Sequence, residues 1–225
     1  MQGRLIRAVY RGHLPSGPVH IKTMTFPRAK DRLRYAFRAL PATHEANMLR
    51  AVGAAGLPCP EVLAVRGQRR WGLPHRCMLV LRTLPLSDEP EHALQRGDDE
   101  VELAVRLLHA GIYHRDLHRE NFVRRSSGEL AVLDLQSASC IGSVRARSQK
   151  VRLAVAIRLL RDRTPEERDR ALIRMRDLNL LVNDTEAASV VARATQEEQQ
   201  YVDRRIRRCL MSSTEFERRV HLTGI

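Results

Sequence analysis

The stretch at residues 111–121 constrains the fold of this 225-residue chain more than any other feature. It reads G-I-Y-H-R-D-L-H-R-E-N, which places Asp116 shortly before Asn121. A further acidic residue, Asp134, follows within the apolar run 133–135. Polar side chains at this spacing, each next to apolar residues, predict a loop between buried elements that directs them into one cleft.

The residue types in this loop are typical of kinase-type phosphoryl transfer. The pattern H-R-D-L-x-x-x-N predicts that Asp116 accepts the proton of an acceptor hydroxyl and orients it toward the γ-phosphate of ATP. Asn121 and Asp134 would supply the oxygen ligands that Mg²⁺ prefers. The alternative is a polar turn between a helix and a strand, but the number of matching positions favours the kinase-type interpretation.

The N-terminal residues predict a hairpin that presents a lysine. Residues 4–10 and 18–24 read as two strands joined by a turn cluster at 12–17, and Lys22 lies near the end of the second strand. A kinase fold carries at this place the lysine that pairs the α- and β-phosphates of ATP. An ordinary solvated lysine is the alternative, but lysine is scarce in this chain, which favours the functional interpretation.

Two helices are predicted after the hairpin. Residues 28–39 are basic with a helical pattern, and residues 42–55 form an amphipathic helix that Gly56 ends. Glu45 lies in the first turns of the second helix, where a kinase-like fold carries a glutamate that ion-pairs with the strand lysine. The alternative is a first-turn acid favoured by the helix dipole. We expect Glu45 to pair with Lys22 and to complete a clamp for the nucleotide.

Further strands lead to an expected hinge. Residues 61–65 and 77–82 are predicted strands, separated by a polar loop that holds Trp71. The backbone groups expected to hydrogen-bond the adenine of ATP follow at the end of the second strand, at Arg82, Thr83 and Leu84.

The second half of the chain reads as mainly helical. Residues 85–97 are loop-like, and Asp98 is predicted to cap a helix that ends at Gly111. Thr164 opens the capping box T-P-E-E of a later helix. A last helix is predicted to start near residue 184 and to run through an arginine cluster at 204–208.

These elements predict an α+β, bilobal fold like that of protein kinases. The small β-rich lobe spans residues 1–84 and holds the nucleotide clamp. The larger, mainly helical lobe spans residues 85–225 and holds the catalytic loop at 114–121 and the metal-binding Asp134.

The net charge of +13 predicts attraction to an anionic partner. Basic residues are dense at 145–176 and 204–219, either as solvated helix faces or as surfaces for an anionic substrate or a membrane. Aromatic residues make up 4% of the chain and are not interleaved with the basic clusters, which argues against nucleic acid as the main partner. No apolar run approaches the ~20 residues that cross a bilayer, and the N-terminus lacks the apolar segment of a signal peptide. We therefore expect a cytoplasmic protein.

The chain resembles the bacterial lipopolysaccharide kinase (Kdo/WaaP) family. The similarity is tightest over residues 107–121 and includes L-D-L-Q-S-A at 133–138. It extends to H-E-A-N-M-L at 44–49, which runs into G-L-P-C-P, and to the terminal segment 207–216.

The resemblance implies an enzyme that uses ATP and Mg²⁺ to phosphorylate a Kdo or heptose hydroxyl of the lipopolysaccharide inner core. It implies an anionic glycolipid or sugar acceptor and peripheral contact with the cytoplasmic face of the inner membrane. Within the catalytic loop it implies catalytic roles for His114, Arg115 and His118 beside Asp116.

Three departures from protein kinases keep alternatives open. No glycine-rich loop precedes Lys22, so the opening strand of the small lobe looks truncated. His118 stands where many protein kinases carry a lysine, and Gln136 stands where they carry glycine. The alternatives are a kinase acting on a protein or soluble small molecule, a pseudokinase with a binding role, and a basic RNA-binding module.

Overall fold

A computed structural model describes residues 6–87, 93–161 and 163–223 of the chain. Its N-terminal part is an antiparallel sheet of four described strands in the order β1-β2-β4-β3. The strands are β1 Ile6–Leu14, β2 Gly17–Thr25, β3 Val62–Arg70 and β4 Leu73–Arg82. The predicted truncation of the opening strand concerns residues before β1, which lie outside the described residues.

Both hairpins of the sheet are tighter than the sequence suggested. The turn cluster expected at 12–17 shrinks to two residues between Leu14 and Gly17, which pair with each other. The prediction of a polar loop around Trp71 is wrong, because β3 and β4 extend as far as a two-residue turn of Trp71 and Gly72. Both turn residues have positive φ angles, 52° and 76°, as the twist of a tight hairpin requires.

Two helices follow β2 and cover the sheet. The basic helix expected at 28–39 is confined to α1 Ala29–Arg34, and the amphipathic helix is α2 Pro41–Ala54. The apolar face of α2 is fully buried through Ala46, Leu49 and Val52. This face packs with the apolar side chains of the sheet in one core. The packing fixes the rotation of α2 about its axis and therefore which of its side chains face the sheet.

The C-terminal part begins with α3 Ala93–His109. Asp98 was predicted to cap this helix, but it lies inside it; its carboxylate pairs with Arg170 at 2.6 Å. The predicted stop at Gly111 is borne out: Gly111 follows the helix with a φ angle of 72°. A Cβ there would lie 3.1 Å from the backbone of Gly142, so both the conformation and the space require glycine.

Short strands form the loop region that follows α3. They are β5 Ile112–His114, β6 Phe122–Arg124, β7 Leu130–Val132 and β8 Ala138–Cys140. β5 pairs with β8, and β6 pairs with β7 as the predicted short hairpin. Single 3₁₀ turns precede β6 at Arg119–Asn121 and β8 at Leu135–Ser137.

Helices complete the C-terminal part. They are α4 Ser143–Ala146, α5 Gln149–Leu160, α6 Pro165–Asp177 and α7 Asp184–Thr223. The predicted capping box is present, since Thr164 Oγ1 accepts the Glu167 N–H and the Glu167 side chain accepts the Thr164 N–H. Among the described residues no helix combines the length and the apolar character needed to cross a membrane, including the 40-residue α7.

The observed architecture is α+β, with an antiparallel N-terminal sheet and a mainly helical C-terminal part. One hydrophobic core runs through both parts, from Met24 on β2 to Ala194 on α7. The division into lobes at residues 84 and 85 stays a prediction.

Candidate active site

The structure pairs Lys22 with Glu45. Lys22 Nζ, on β2, lies 2.5 Å from Glu45 Oε1, on α2. The Glu45 side chain is 1% exposed, whereas Lys22 keeps 21% of its side chain exposed. Lys22 Nζ also lies 3.8 Å from Asp134 Oδ1, just after β7. A single lysine therefore connects the sheet, α2 and the segment that carries Asp134.

A cavity of about 640 Å³ lies between the sheet and the catalytic loop, and we call it the nucleotide cavity. Its polar lining contains Lys22, Glu45, Asn121 and Asp134. Its apolar lining includes Val9, Val19, Leu49, Leu81, Val123 and Leu133. A mostly apolar cleft of this size, with a few convergent charged groups, suits a ligand that has one flat apolar part and one anionic part.

The hinge residues line the same cavity, but not all their backbone groups are available. The Arg82 N–H donates to Glu61 C=O at 2.9 Å, and the Thr83 N–H donates to Pro18 C=O at 3.0 Å. Within the described part of the chain, the N–H and C=O of Leu84 have no hydrogen bond. Of the three residues predicted to bind adenine, Leu84 therefore offers the free donor and acceptor.

The loop around Asp116 is held through its backbone. The Asp116 N–H donates to His114 Nδ1 at 3.2 Å and to Ser137 Oγ at 3.1 Å. The Asp116 C=O accepts a 2.6 Å hydrogen bond from Asn121 Nδ2. The Asp116 side chain is itself exposed. The loop thus fixes the position of this residue while leaving its carboxylate accessible.

His114 lies behind the loop and is 2% exposed. Its Nε2–H donates to the Asp134 C=O at 3.0 Å, and its Nδ1 accepts the Asp116 N–H, so the ring is neutral. Burial lowers the pKa of His114, in agreement with this tautomer. Ser137 Oγ also lies 3.4 Å from Nδ1. His114 therefore connects the backbones of Asp116 and Asp134, and it lines neither of the cavities described below.

The donors expected for Mg²⁺ meet in the nucleotide cavity. Because the Asn121 amide nitrogen is bonded to Asp116, its Oδ1 is left for a cation. Asp134 is 53% exposed and adopts the left-handed conformation, with φ 49° and ψ 61°, which is strained for a residue with a Cβ. No group of three His, Cys, Asp or Glu side chains in the described residues forms a dedicated metal cage. One carboxylate and one amide oxygen fit Mg²⁺ that arrives with a nucleotide.

Besides His114, two further predicted catalytic residues, Arg115 and His118, line neither cavity. Arg115 is exposed, and its C=O accepts a hydrogen bond from Arg158 Nε. His118 is partly exposed, with Nδ1 3.9 Å from Glu120 Oε2. The sequence reasoning missed Ser137, which bonds the Asp116 N–H from the following 3₁₀ turn. A serine three residues after Asp134 was the only signal for it.

A second cavity, of about 400 Å³, meets the first at Asp134, and we call it the acceptor cavity. Asp116 lines this cavity and not the nucleotide cavity. Its remaining lining comes from β1, the α1–α2 segment, α2 and the 3₁₀ turn, at Arg7, Tyr35, Arg38, Ala39, Pro41, His44, Gln136 and Ser137. His44 fixes one wall, since its Nε2–H donates to Ala138 C=O at 2.8 Å.

The four-stranded sheet with its Lys22–Glu45 pair, and the loop that carries Asp116 ahead of Asp134, define a protein of the kinase-like class. The family can be stated as well. The model of the lipopolysaccharide kinase (Kdo/WaaP) family matches residues 7–175, and the chain belongs to this family. The expected family and fold class are therefore confirmed. No curated protein sequence matches the chain.

Solved structures share the fold at low sequence identity. A structure of WaaP in complex with acyl carrier protein has a TM-score of 0.55 and 19% identity, with 88% of each chain covered. Two structures of WbdD, one of them described as a bifunctional kinase-methyltransferase, have TM-scores of 0.50 and 0.51 and 14% identity. They cover 79% of this chain and 45% and 46% of theirs.

Proposed function

We propose that this protein transfers the γ-phosphoryl group of ATP to a sugar hydroxyl, of Kdo or heptose, in the lipopolysaccharide inner core. The observation that carries the proposal is the arrangement of the two cavities. The nucleotide cavity holds Lys22, Asn121 and Asp134, the acceptor cavity holds Asp116, and the two meet at Asp134. Family membership supports the lipopolysaccharide kinase class.

The proposed reaction is an in-line displacement. The acceptor oxygen forms a bond to the γ-phosphorus as the bond from that phosphorus to the β,γ-bridging oxygen breaks, and ADP leaves. Asp116 accepts the hydroxyl proton and aims the oxygen. Lys22, held by Glu45, neutralises phosphate charge, and Leu84 holds the adenine. Mg²⁺, when bound by Asn121 and Asp134, supplies further charge neutralisation on the phosphates.

The proposal includes a place of action. The acceptor sugars belong to a glycolipid, so the enzyme would work in the cytoplasm and contact the cytoplasmic face of the inner membrane peripherally. The net charge of +13 supports attraction to such an anionic surface.

Phosphate transfer from labelled Mg-ATP to a panel of acceptors tests the function. The panel contains a Kdo-bearing lipid A precursor, heptosylated core, a generic protein and no acceptor. Wild type runs beside Asp116→Asn and Asp134→Asn. We expect glycolipid labelling that is lost in both variants.

Labelling of the protein alone would replace the sugar acceptor with a polypeptide. Nucleotide binding without any transfer would favour a pseudokinase with a binding role.

A further inference from the structure

Two arginines beside the acceptor cavity have no partner. Within the described residues, neither Arg7, on β1, nor Arg38, before α2, makes a side-chain hydrogen bond or an ion pair. Both side chains are exposed. Many other arginines of this chain are paired, as Arg82 is with Glu61 at 2.6 Å. What sets Arg7 and Arg38 apart is their place, since both line the cavity that contains Asp116.

Their location separates them from the nucleotide. Arg7 and Arg38 line the acceptor cavity together with Asp116, and neither lines the nucleotide cavity. The nucleotide cavity has its own cation for phosphate in Lys22. The two arginines thus face the space in which the acceptor, and not the body of ATP, would lie.

Arg69 holds the segment that presents Arg38. Its guanidinium donates to the carbonyl oxygens of Ala36 and Gly72, both at 3.0 Å, and to those of Arg38 at 3.3 Å and Tyr35 at 3.4 Å. Arg69 lies on β3, so it ties the segment between α1 and α2 to the rigid sheet. The cavity wall that carries Tyr35 and Arg38 is therefore fixed before any ligand binds, which lowers the entropic cost of binding.

We infer that the acceptor carries an anionic group, a carboxylate or a phosphate, close to the hydroxyl that is phosphorylated, and that Arg7 and Arg38 bind this group. Guanidinium groups suit both anions because their N–H donors match two oxygens at once. A charged acceptor would otherwise be repelled by the ATP phosphates next to Asp134 and by Asp116 itself. The inference rests on the proposed function and narrows the acceptor to an acidic sugar unit.

The test measures steady-state kinetics with acceptors of altered charge. The acceptor is the Kdo-bearing lipid A precursor or the heptosylated core, whichever wild type phosphorylates. It is used intact, with its carboxyl groups converted to amides, and with its phosphates removed. The enzymes are wild type, Arg7→Gln, Arg38→Gln and the control Arg66→Gln, an exposed arginine of β3 that lines neither cavity.

We expect neutralisation of one anion type to raise the acceptor KM of wild type roughly tenfold, which identifies that anion as the bound group. Arg7→Gln and Arg38→Gln should raise the KM for the intact acceptor by a similar factor. The same two substitutions should have little effect on the KM for the neutralised acceptor. The KM for ATP should stay constant. Arg66→Gln should behave as wild type does.

Three outcomes would overturn the inference. Equal KM values for the intact acceptor and for both altered acceptors would show that the enzyme does not recognise an anionic group. The proposed sugar kinase activity would be unaffected by this result. A rise in the KM for ATP in the variants would assign the arginines to the nucleotide. If wild type phosphorylates no acceptor, the proposed function fails, and the inference fails with it.

Discussion

The buried pair of Lys22 and Glu45 allows a prediction in which stability and activity separate. Replacement of Lys22 by methionine keeps the length of the side chain and removes the charge. Glu45 then stays 1% exposed without its cation. Its second oxygen, Oε2, is already buried without a hydrogen bond in the described residues. The variant therefore leaves an uncompensated carboxylate in the core.

The size of the effect follows from the exposure of the two partners. Removing one member of a fully buried ion pair typically costs 3–5 kcal/mol. Lys22 keeps 21% of its side chain exposed, so we take the lower end, about 3 kcal/mol. For a domain of this length such a loss lowers the melting temperature by about 6–12 °C.

Thermal unfolding of four proteins checks this reasoning. Lys22→Met should melt about 6–12 °C below wild type, and Lys30→Met, at an exposed lysine of α1 with no ion pair in the described residues, should melt as wild type does. The double variant Lys22→Met/Glu45→Met should recover most of the loss, because no buried charge remains. Neither variant at Lys22 should transfer phosphate. A double variant as unstable as the single one would refute the argument.

Three further predictions concern the loop and its support. Asp116→Asn should lower phosphate transfer at least about 100-fold without changing the melting temperature, since its side chain is exposed. Ser137→Ala should lower kcat roughly tenfold, since the Asp116 N–H loses one of its two acceptors; an unchanged kcat would contradict the positioning role. Burial would raise the pKa of Glu167, but the Thr164 N–H and Arg119 outweigh it and lower that pKa. This carboxylate therefore stabilises the fold above about pH 4.3 and loses that effect as the pH falls through its lowered pKa. Melting curves of Glu167→Gln should accordingly depend less on pH in this acid range than those of wild type.

Features that depend on neighbouring residues could be predicted from the sequence. The capping box at Thr164 and the hairpin of β6 and β7 both rest on side chains or turns within a few residues, and both are present. Asp116, Asn121 and Asp134 also lie close together in the fold, as their spacing predicts, because only short strands and 3₁₀ turns connect them. Residues that are close in the sequence determine these elements, so the sequence alone is enough to predict them.

The errors arose where distant contacts decide the structure. The outer half of β3, from Arg66 to Arg70, is exposed, so its polar residues read as a loop although they pair with β4. Asp98 reads as a helix cap, but its partner Arg170 lies 72 residues away on α6. Ser137 meets the Asp116 N–H, and Arg7 and Arg38 come to the acceptor cavity, only because distant segments pack together, so no spacing rule connects them.

The structure also changes the meaning of the basic run at 145–176. Most of its arginines bond carboxylates on neighbouring helices, as Arg152 does with Glu186 at 3.1 Å and Arg168 with Glu198 at 2.6 Å. Others pair with α3 or with α7: Arg163 with Glu100, Arg170 with Asp98, Arg174 with Glu102 and Arg161 with Glu197. These arginines connect helices and are not free to attract a membrane. The surplus of +13 must therefore lie on residues outside such pairs, which include Arg7 and Arg38 at the acceptor cavity. Under the proposed function, attraction to an anionic acceptor would act through this smaller set, of which Arg7 and Arg38 line the cavity that contains Asp116.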